Sequence, residues 1–147
     1  VLAKDNNSWL IKTNGNLREL RIPQTMGYPD LSHSKNVIGF SSYGNDYYVH
    51  LGPNKETLIS FNKQAPTMPY IREANGTIKE FYNTTNGFDF TIQSYTPTQF
   101  TLANMKNCKL YQGRKTIKGT TNNNNTYTFE LKNEGNTSNV FKVRCKK

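Results

Sequence analysis

The 147-residue chain holds two histidines, two cysteines and no long apolar run. No segment approaches the roughly 18 apolar residues that a membrane-spanning helix needs, so no membrane span is expected. Nowhere do apolar residues keep the i, i+3, i+4, i+7 spacing for three turns, which argues against amphipathic helices. His33 and His50 stand outside any His-x-x-x-His or His-Glu-x-x-His pattern, so no metal site is expected. The run Gly39-Phe-Ser-Ser-Tyr-Gly44 has the wrong spacing for a nucleophile elbow. Phosphate loops and Gly-x-Gly-x-x-Gly fingerprints are missing, and with them any cofactor signal. Ten Asp and Glu could meet as a carboxylate pair, but no spacing points to one. No catalytic residue is assigned, and an enzyme acting by itself is not expected. The chain lacks a signal-peptide pattern and an initial Met, which fits one domain, residues 1–147, excised from a longer polypeptide.

What is abundant is turn chemistry and short alternating runs. Twenty Asn cluster at loop-like places such as 122–125, where the side chain can bond nearby backbone and the left-handed region is tolerated. Pro69–Phe81 reads as two strands joined by Asn75-Gly76, the dipeptide best suited to a type I′ turn. It is expected to be the central hairpin. Further hairpins are expected at Asn14-Gly15, between Trp9–Thr13 and Leu17–Ile22, and at Gly44-Asn45, between Val37–Tyr43 and Asp46–Leu51. Thr57–Phe61, Phe88–Ile92, Thr98–Leu102, Lys109–Tyr111, Lys115–Lys118, Thr126–Leu131 and Asn139–Cys145 complete the set. Alternation puts Tyr47, Val49 and Leu51 on one face, with Tyr48 and His50 on the other. Phe88, Phe90, Ile92, Phe100, Leu102, Phe141 and Val143 are expected inward. The fold class is all-β: an antiparallel two-sheet sandwich, jelly-roll-like, of roughly ten to twelve short strands.

Charge is uneven. Residues 1–100 carry nine Lys/Arg against eight Asp/Glu, whereas residues 101–147 carry ten against two, so nearly all of the net +9 lies in the last third. Such asymmetry permits attraction to an anionic polymer, a membrane surface or an acidic partner; it also suits a merely solvated face. The basic residues alternate along strands instead of forming one stripe, which disfavours nucleic acid. Cys108 and Cys145 lack metal-type spacing. They fit a disulfide and so an oxidising, periplasmic or extracellular compartment, against the alternative of two free thiols.

Nine Tyr and one Trp are many for this length. Several fall opposite the apolar face, Tyr43, Tyr48 and Tyr82 among them. A pyranose stacks its apolar face on such a ring while its hydroxyls bond neighbouring polar side chains; the plainer reading is that each ring covers a sheet. The candidate carbohydrate-binding residues are Trp9, Tyr48, His50, Tyr70, Arg72 and Glu73. Arg72 and Glu73 are expected on opposite faces of their strand, so at most one lines a given site.

Three stretches carry a resemblance. They are Leu17-Arg-Glu-Leu-Arg-Ile-Pro23 running into Gly27-Tyr-Pro-Asp-Leu-Ser-His-Ser34; Tyr48-Val-His-Leu51; and Pro69-Tyr-Ile-Arg-Glu-Ala-Asn-Gly76, with Phe100-Thr-Leu-Ala-Asn104 and Cys108 after it. Together they resemble the C-terminal region of the bifunctional glycoside hydrolase/deacetylase of the bacterial Pel exopolysaccharide system, which serves biofilms. The resemblance implies a β-sandwich, carbohydrate-module-like appendage to a periplasmic polysaccharide-modifying enzyme. The zinc ligands and acids of that family's catalytic domains have no counterpart here. The expected function is a non-catalytic accessory module that binds or positions an exopolysaccharide, beside a neighbouring catalytic domain. The alternative is a structural domain docking through its basic C-terminal third. An adhesin-like or nucleic-acid-associated domain is a third class, and steep salt dependence would mark it.

Overall fold

Short alternating runs bounded by Asn, Gly and Pro form strands, and the chain is all-β with antiparallel pairing. The computed structural model describes residues 3–4, 7–12, 17–122, 125–131 and 137–146. By its internal contacts the chain divides into two compact units, Val1–Thr67 and Met68–Lys147. Each unit contains two sheets, and each is sandwich-like.

In the N-terminal unit the strands are β1 (Ala3–Lys4), β2 (Ser8–Lys12), β3 (Glu19–Pro23), β4 (Tyr28–Pro29), β5 (Val37–Tyr43), β6 (Asp46–Leu51) and β7 (Glu56–Asn62). One sheet has the order β1-β2-β7-β4 and the other β3-β6-β5. Ile11 and Ile59 from the first sheet and Ile22, Phe40, Val49 and Leu51 from the second are all buried. Tyr28 of the first sheet meets Tyr47 of the second with ring centroids 5.8 Å apart. Burial, followed by the neighbouring Tyr28, pushes the Tyr47 phenol up from its ordinary value.

The C-terminal unit contains β8 (Tyr70–Ala74), β9 (Thr77–Thr84), β10 (Gly87–Ser94), β11 (Thr98–Ala103), β12 (Cys108–Gln112), β13 (Lys115–Ile117), β14 (Thr120–Thr121), β15 (Thr126–Leu131) and β16 (Thr137–Cys145). Its sheets have the orders β13-β12-β16-β10-β9 and β14-β15-β11-β8. The core is aromatic, as the alternation of β10, β11 and β16 requires. Phe90 and Phe141, cross-strand partners in the five-stranded sheet, both touch Phe100 of the four-stranded sheet, with centroids 5.3 and 5.1 Å apart. Phe100 stacks in turn on its partner Phe129 at 5.5 Å. These four rings are almost completely buried. Each aromatic pair contributes about 0.5–1.5 kcal/mol beyond its area burial.

Two expected hairpins are corrected. Asn75-Gly76 does not join paired strands: β8 pairs with β11 and β9 with β10, so the dipeptide crosses between sheets. Neither residue has positive φ, hence no type I′ turn forms. Asn75 works instead as a clamp on the β10–β11 turn. Its Nδ2 donates to the carbonyl of Pro97 at 2.8 Å, and its Oδ1 accepts from the N–H of Gln99 at 2.9 Å. Gly76 is needed for close approach, since a Cβ there would lie 2.5 Å from the Gln93 carbonyl oxygen. Likewise β2 pairs with β1 and β7 while β3 pairs with β6, so the strands flanking Asn14-Gly15 are not partners; that turn itself lies outside the described residues. The Gly44-Asn45 hairpin does form, with Tyr43 opposite Asp46 and Gly44 at φ 59°. More strands appear than the ten to twelve expected, and three of them, β1, β4 and β14, are two-residue pieces at or near sheet margins.

Cys108 and Cys145 are bonded, as expected, and face one another as cross-strand partners of β12 and β16. Two stability predictions follow from this packing. Phe100→Ala removes the ring that joins both sheets and is expected to cost about 3–5 kcal/mol in urea unfolding; a loss under 1 kcal/mol would contradict the packing described. Replacing both cysteines by Ser frees a separation of 37 residues and is expected to lower stability by roughly 3–4 kcal/mol. Reductant should reproduce that loss in the wild-type chain and leave the double variant unchanged.

Candidate functional site

The outward face of β3-β6-β5 gathers aromatic and polar side chains on one surface. Its composition follows from register. On β6 the inward residues Tyr47, Val49 and Leu51 alternate with Asp46, Tyr48 and His50, which are only part-buried. Across the sheet, Glu19 lies opposite His50, Arg21 opposite Tyr48, and Pro23 opposite Asp46. On the other side Ser41 lies opposite Tyr48 and Tyr43 opposite Asp46. One surface therefore carries Glu19, Arg21, Ser41, Tyr43, Asp46, Tyr48 and His50.

Tyr43 is 76% exposed and lies with its ring centroid 6.4 Å from that of Tyr48, at an interplanar angle of 45°. The Arg21 Nε sits 3.6 Å from Asp46 Oδ2 in a solvent-exposed pair, which contributes little to stability but leaves both a donor and an acceptor facing outward. The turn that presents Tyr43 is held from behind. Gln24, in the 3-10 turn after β3, donates through Nε2 to the carbonyls of Gly44 and Asp46 at 3.3 and 3.1 Å. Its own N–H donates to the Asn45 carbonyl at 2.9 Å.

The six candidate carbohydrate-binding residues are divided. Tyr48 and His50 share the face just described. Trp9 lies on the other sheet of its unit, opposite the fully buried Ile59, and makes an edge contact with Phe61 at 5.8 Å. Its ring belongs to packing more than to the exposed face. Tyr70, Arg72 and Glu73 lie on β8, an edge strand of the C-terminal unit. The strict alternation expected at Arg72 and Glu73 is interrupted there. Thr101 pairs with Glu73 and Leu102 with Ile71, so Arg72 is the extra residue of a bulge. Sequence reasoning passed over Arg21, Ser41 and Asp46 as site residues. Ser41 and Asp46 could have been found by counting outward from the Gly44-Asn45 turn, whereas Arg21 depends on the β3–β6 pairing.

A second polar cluster occupies the loop before β5. His33 Nδ1 lies 2.9 Å from Asp30 Oδ2 and 3.2 Å from Ser32 Oγ, while Ser32 Oγ donates to Asp30 Oδ1 at 2.9 Å. A Ser-His-Asp relay needs Ser and Asp on opposite imidazole nitrogens; here both sit on Nδ1, so the cluster braces a turn. Among the described residues, no group of three or more His, Cys, Asp or Glu is placed to hold a metal ion, and no helix is long and apolar enough to cross a membrane.

Comparison with family models, curated proteins and solved structures finds no match. The resemblance to the Pel hydrolase/deacetylase region rests on the sequence runs quoted above.

One pH prediction arises from the turn cluster. Burial raises the Asp30 pKa, but hydrogen bonds from Ser32 and His33, with the charge of His33, outweigh it and hold the carboxyl below 3.8. A depressed folded-state pKa adds stability above the unfolded value that is lost as pH falls through the folded one. The contribution of Asp30 should therefore disappear only below pH 3.8. Carboxyl-carbon NMR is expected to show its midpoint under that value in the wild type and a higher midpoint in Ser32→Ala.

Proposed function

We propose that the chain is a non-catalytic carbohydrate-binding module that takes a polysaccharide on the outward face of β3-β6-β5. The observation that supports this most is the pairing of Tyr43 and Tyr48, part-solvated and tilted, beside Arg21, Asp46 and His50. A sugar ring needs an aromatic surface for its C–H face together with donors and acceptors at its rim. The face offers both on a three-stranded sheet. The proposal places the chain beside a polysaccharide-modifying catalytic domain, as the Pel resemblance implies, and its disulfide fits a periplasmic or extracellular setting.

Docking through the basic C-terminal third is the second reading. It is favoured by charge: residues 101–147 hold ten Lys/Arg against two Asp/Glu, whereas residues 1–100 hold nine against eight.

The test is affinity electrophoresis of the full chain in gels containing neutral or N-acetylated glycans, at two salt concentrations. Retention insensitive to salt is expected for the wild type. Tyr48→Ala and Tyr43→Ala should each weaken it about tenfold, roughly 1.4 kcal/mol, with melting unchanged. Unchanged retention in both variants would remove the face from the site.

A further inference from the structure

The C-terminal unit has a cleft of about 320 Å³ where β12 begins and β16 ends. That volume lies at the lower end of the range for small-ligand sites, roughly 300–1,000 Å³. Lys106, Lys109, Arg144 and Lys146 line it, together with Tyr111 and the Cys108–Cys145 disulfide, and among the described residues no carboxylate does.

The register makes this arrangement costly. Lys109 stands directly opposite Arg144 across the β12–β16 ladder, and like charges directly opposite one another destabilise a sheet. Main-chain bonds nevertheless hold the strand ends in place. The Cys145 N–H donates to the Asn86 carbonyl at 2.8 Å, the Lys146 N–H to Asn107 at 2.9 Å, and the Cys108 N–H to Met105 at 3.0 Å. Arg144 is held through one guanidinium nitrogen. Its Nη1 lies 2.7 Å from Asp89 Oδ1 and donates to the Val143 carbonyl at 2.9 Å. A guanidinium has five N–H donors in a planar fork, and Nη1 carries two of them. Among the described residues, no carboxylate pairs with Lys106, Lys109 or Lys146.

A guanidinium held by Asp89 and the Val143 carbonyl, with three lysines lining the same cleft, suits an oxyanion. Tyr111 and the disulfide add an apolar wall that an inorganic ion does not need, and a bare ion would leave most of the cleft to water. Nucleic acid would need a track of cations with several stacking rings, whereas one ring lines this cleft.

We propose that this cleft binds an acidic sugar unit, its carboxylate or sulfate held by Arg144 and the lysines and its ring set against Tyr111. The site shares no residue with the tyrosine face, so either can fail without the other.

The test is an amide-shift titration of the isotope-labelled full chain with trigalacturonate at constant ionic strength. Inorganic sulfate, a neutral trisaccharide and an oligothymidylate serve as separate probes. Saturable shifts are expected at Asn107, Cys108, Lys109 and Lys146 with trigalacturonate, and none there with the neutral sugar. Lys109→Glu and Lys106→Glu should each weaken binding by about tenfold or more. Lys115→Glu, an exposed charge outside the cleft, should change it less than about twofold. Equal losses in all three variants would reduce the effect to general attraction and overturn the site. Tighter binding of oligothymidylate would overturn the sugar assignment, as would sulfate reproducing every shift at equal affinity.

Discussion

The contact of Phe90 and Phe141 with Phe100 is the interaction on which the C-terminal unit depends. It joins residues from both sheets at the centre of the core, and each ring is held by strand alternation that the sequence states openly. Its consequences reach the surface through β16. That strand pairs with both β10 and β12, burying Phe141 and Val143 on one side while presenting Lys142 and Arg144 on the other. It ends at Cys145, so the disulfide and the cationic cleft take their positions from the same element that fills the core. A substitution that shifts β16 would disturb the packing, the Arg144–Asp89 pair and the cleft together.

The N-terminal unit obeys the same logic with a different outcome. Along β6 the inward residues are large and apolar, while the outward ones are an acid, a tyrosine and a histidine. The two-residue turn of the β5–β6 hairpin sets the register beside it, so Tyr43 and Tyr48 share one side. Gln24 then fixes the turn with three hydrogen bonds from a single residue. The result is an aromatic pair on a hydrogen-bonded turn and sheet, flanked by an ion pair that adds little to stability. Groups that add little to stability yet stay ordered are well placed to serve binding.

Much of this was legible in the sequence, and the misses have physical causes. Period-two alternation carried the inward set of β6, β10, β11 and β16, because these strands bury mainly one face. The disulfide was legible from two cysteines without metal spacing. Asn-Gly dipeptides misled twice, since a turn signal does not say whether the strands on either side remain in one sheet. At Asn75-Gly76 the chain turns a corner, and the reasons are the Asn75 clamp and the close approach at Gly76, both made by residues distant in sequence. The bulge at Arg72 was equally hidden, because it depends on pairing with β11. Grouping Trp9, Tyr70, Arg72 and Glu73 with Tyr48 and His50 rested on residue type alone. Their placement on different sheets and in different units is a matter of topology, which alternation does not encode.

Hydrogen–deuterium exchange on the full chain, with and without a neutral oligosaccharide, tests the central claim most directly. The account predicts slowed exchange in peptides covering β3, β5 and β6, with the C-terminal unit unchanged. Protection confined to residues 68–147, or none under conditions where binding is independently measured, would contradict it.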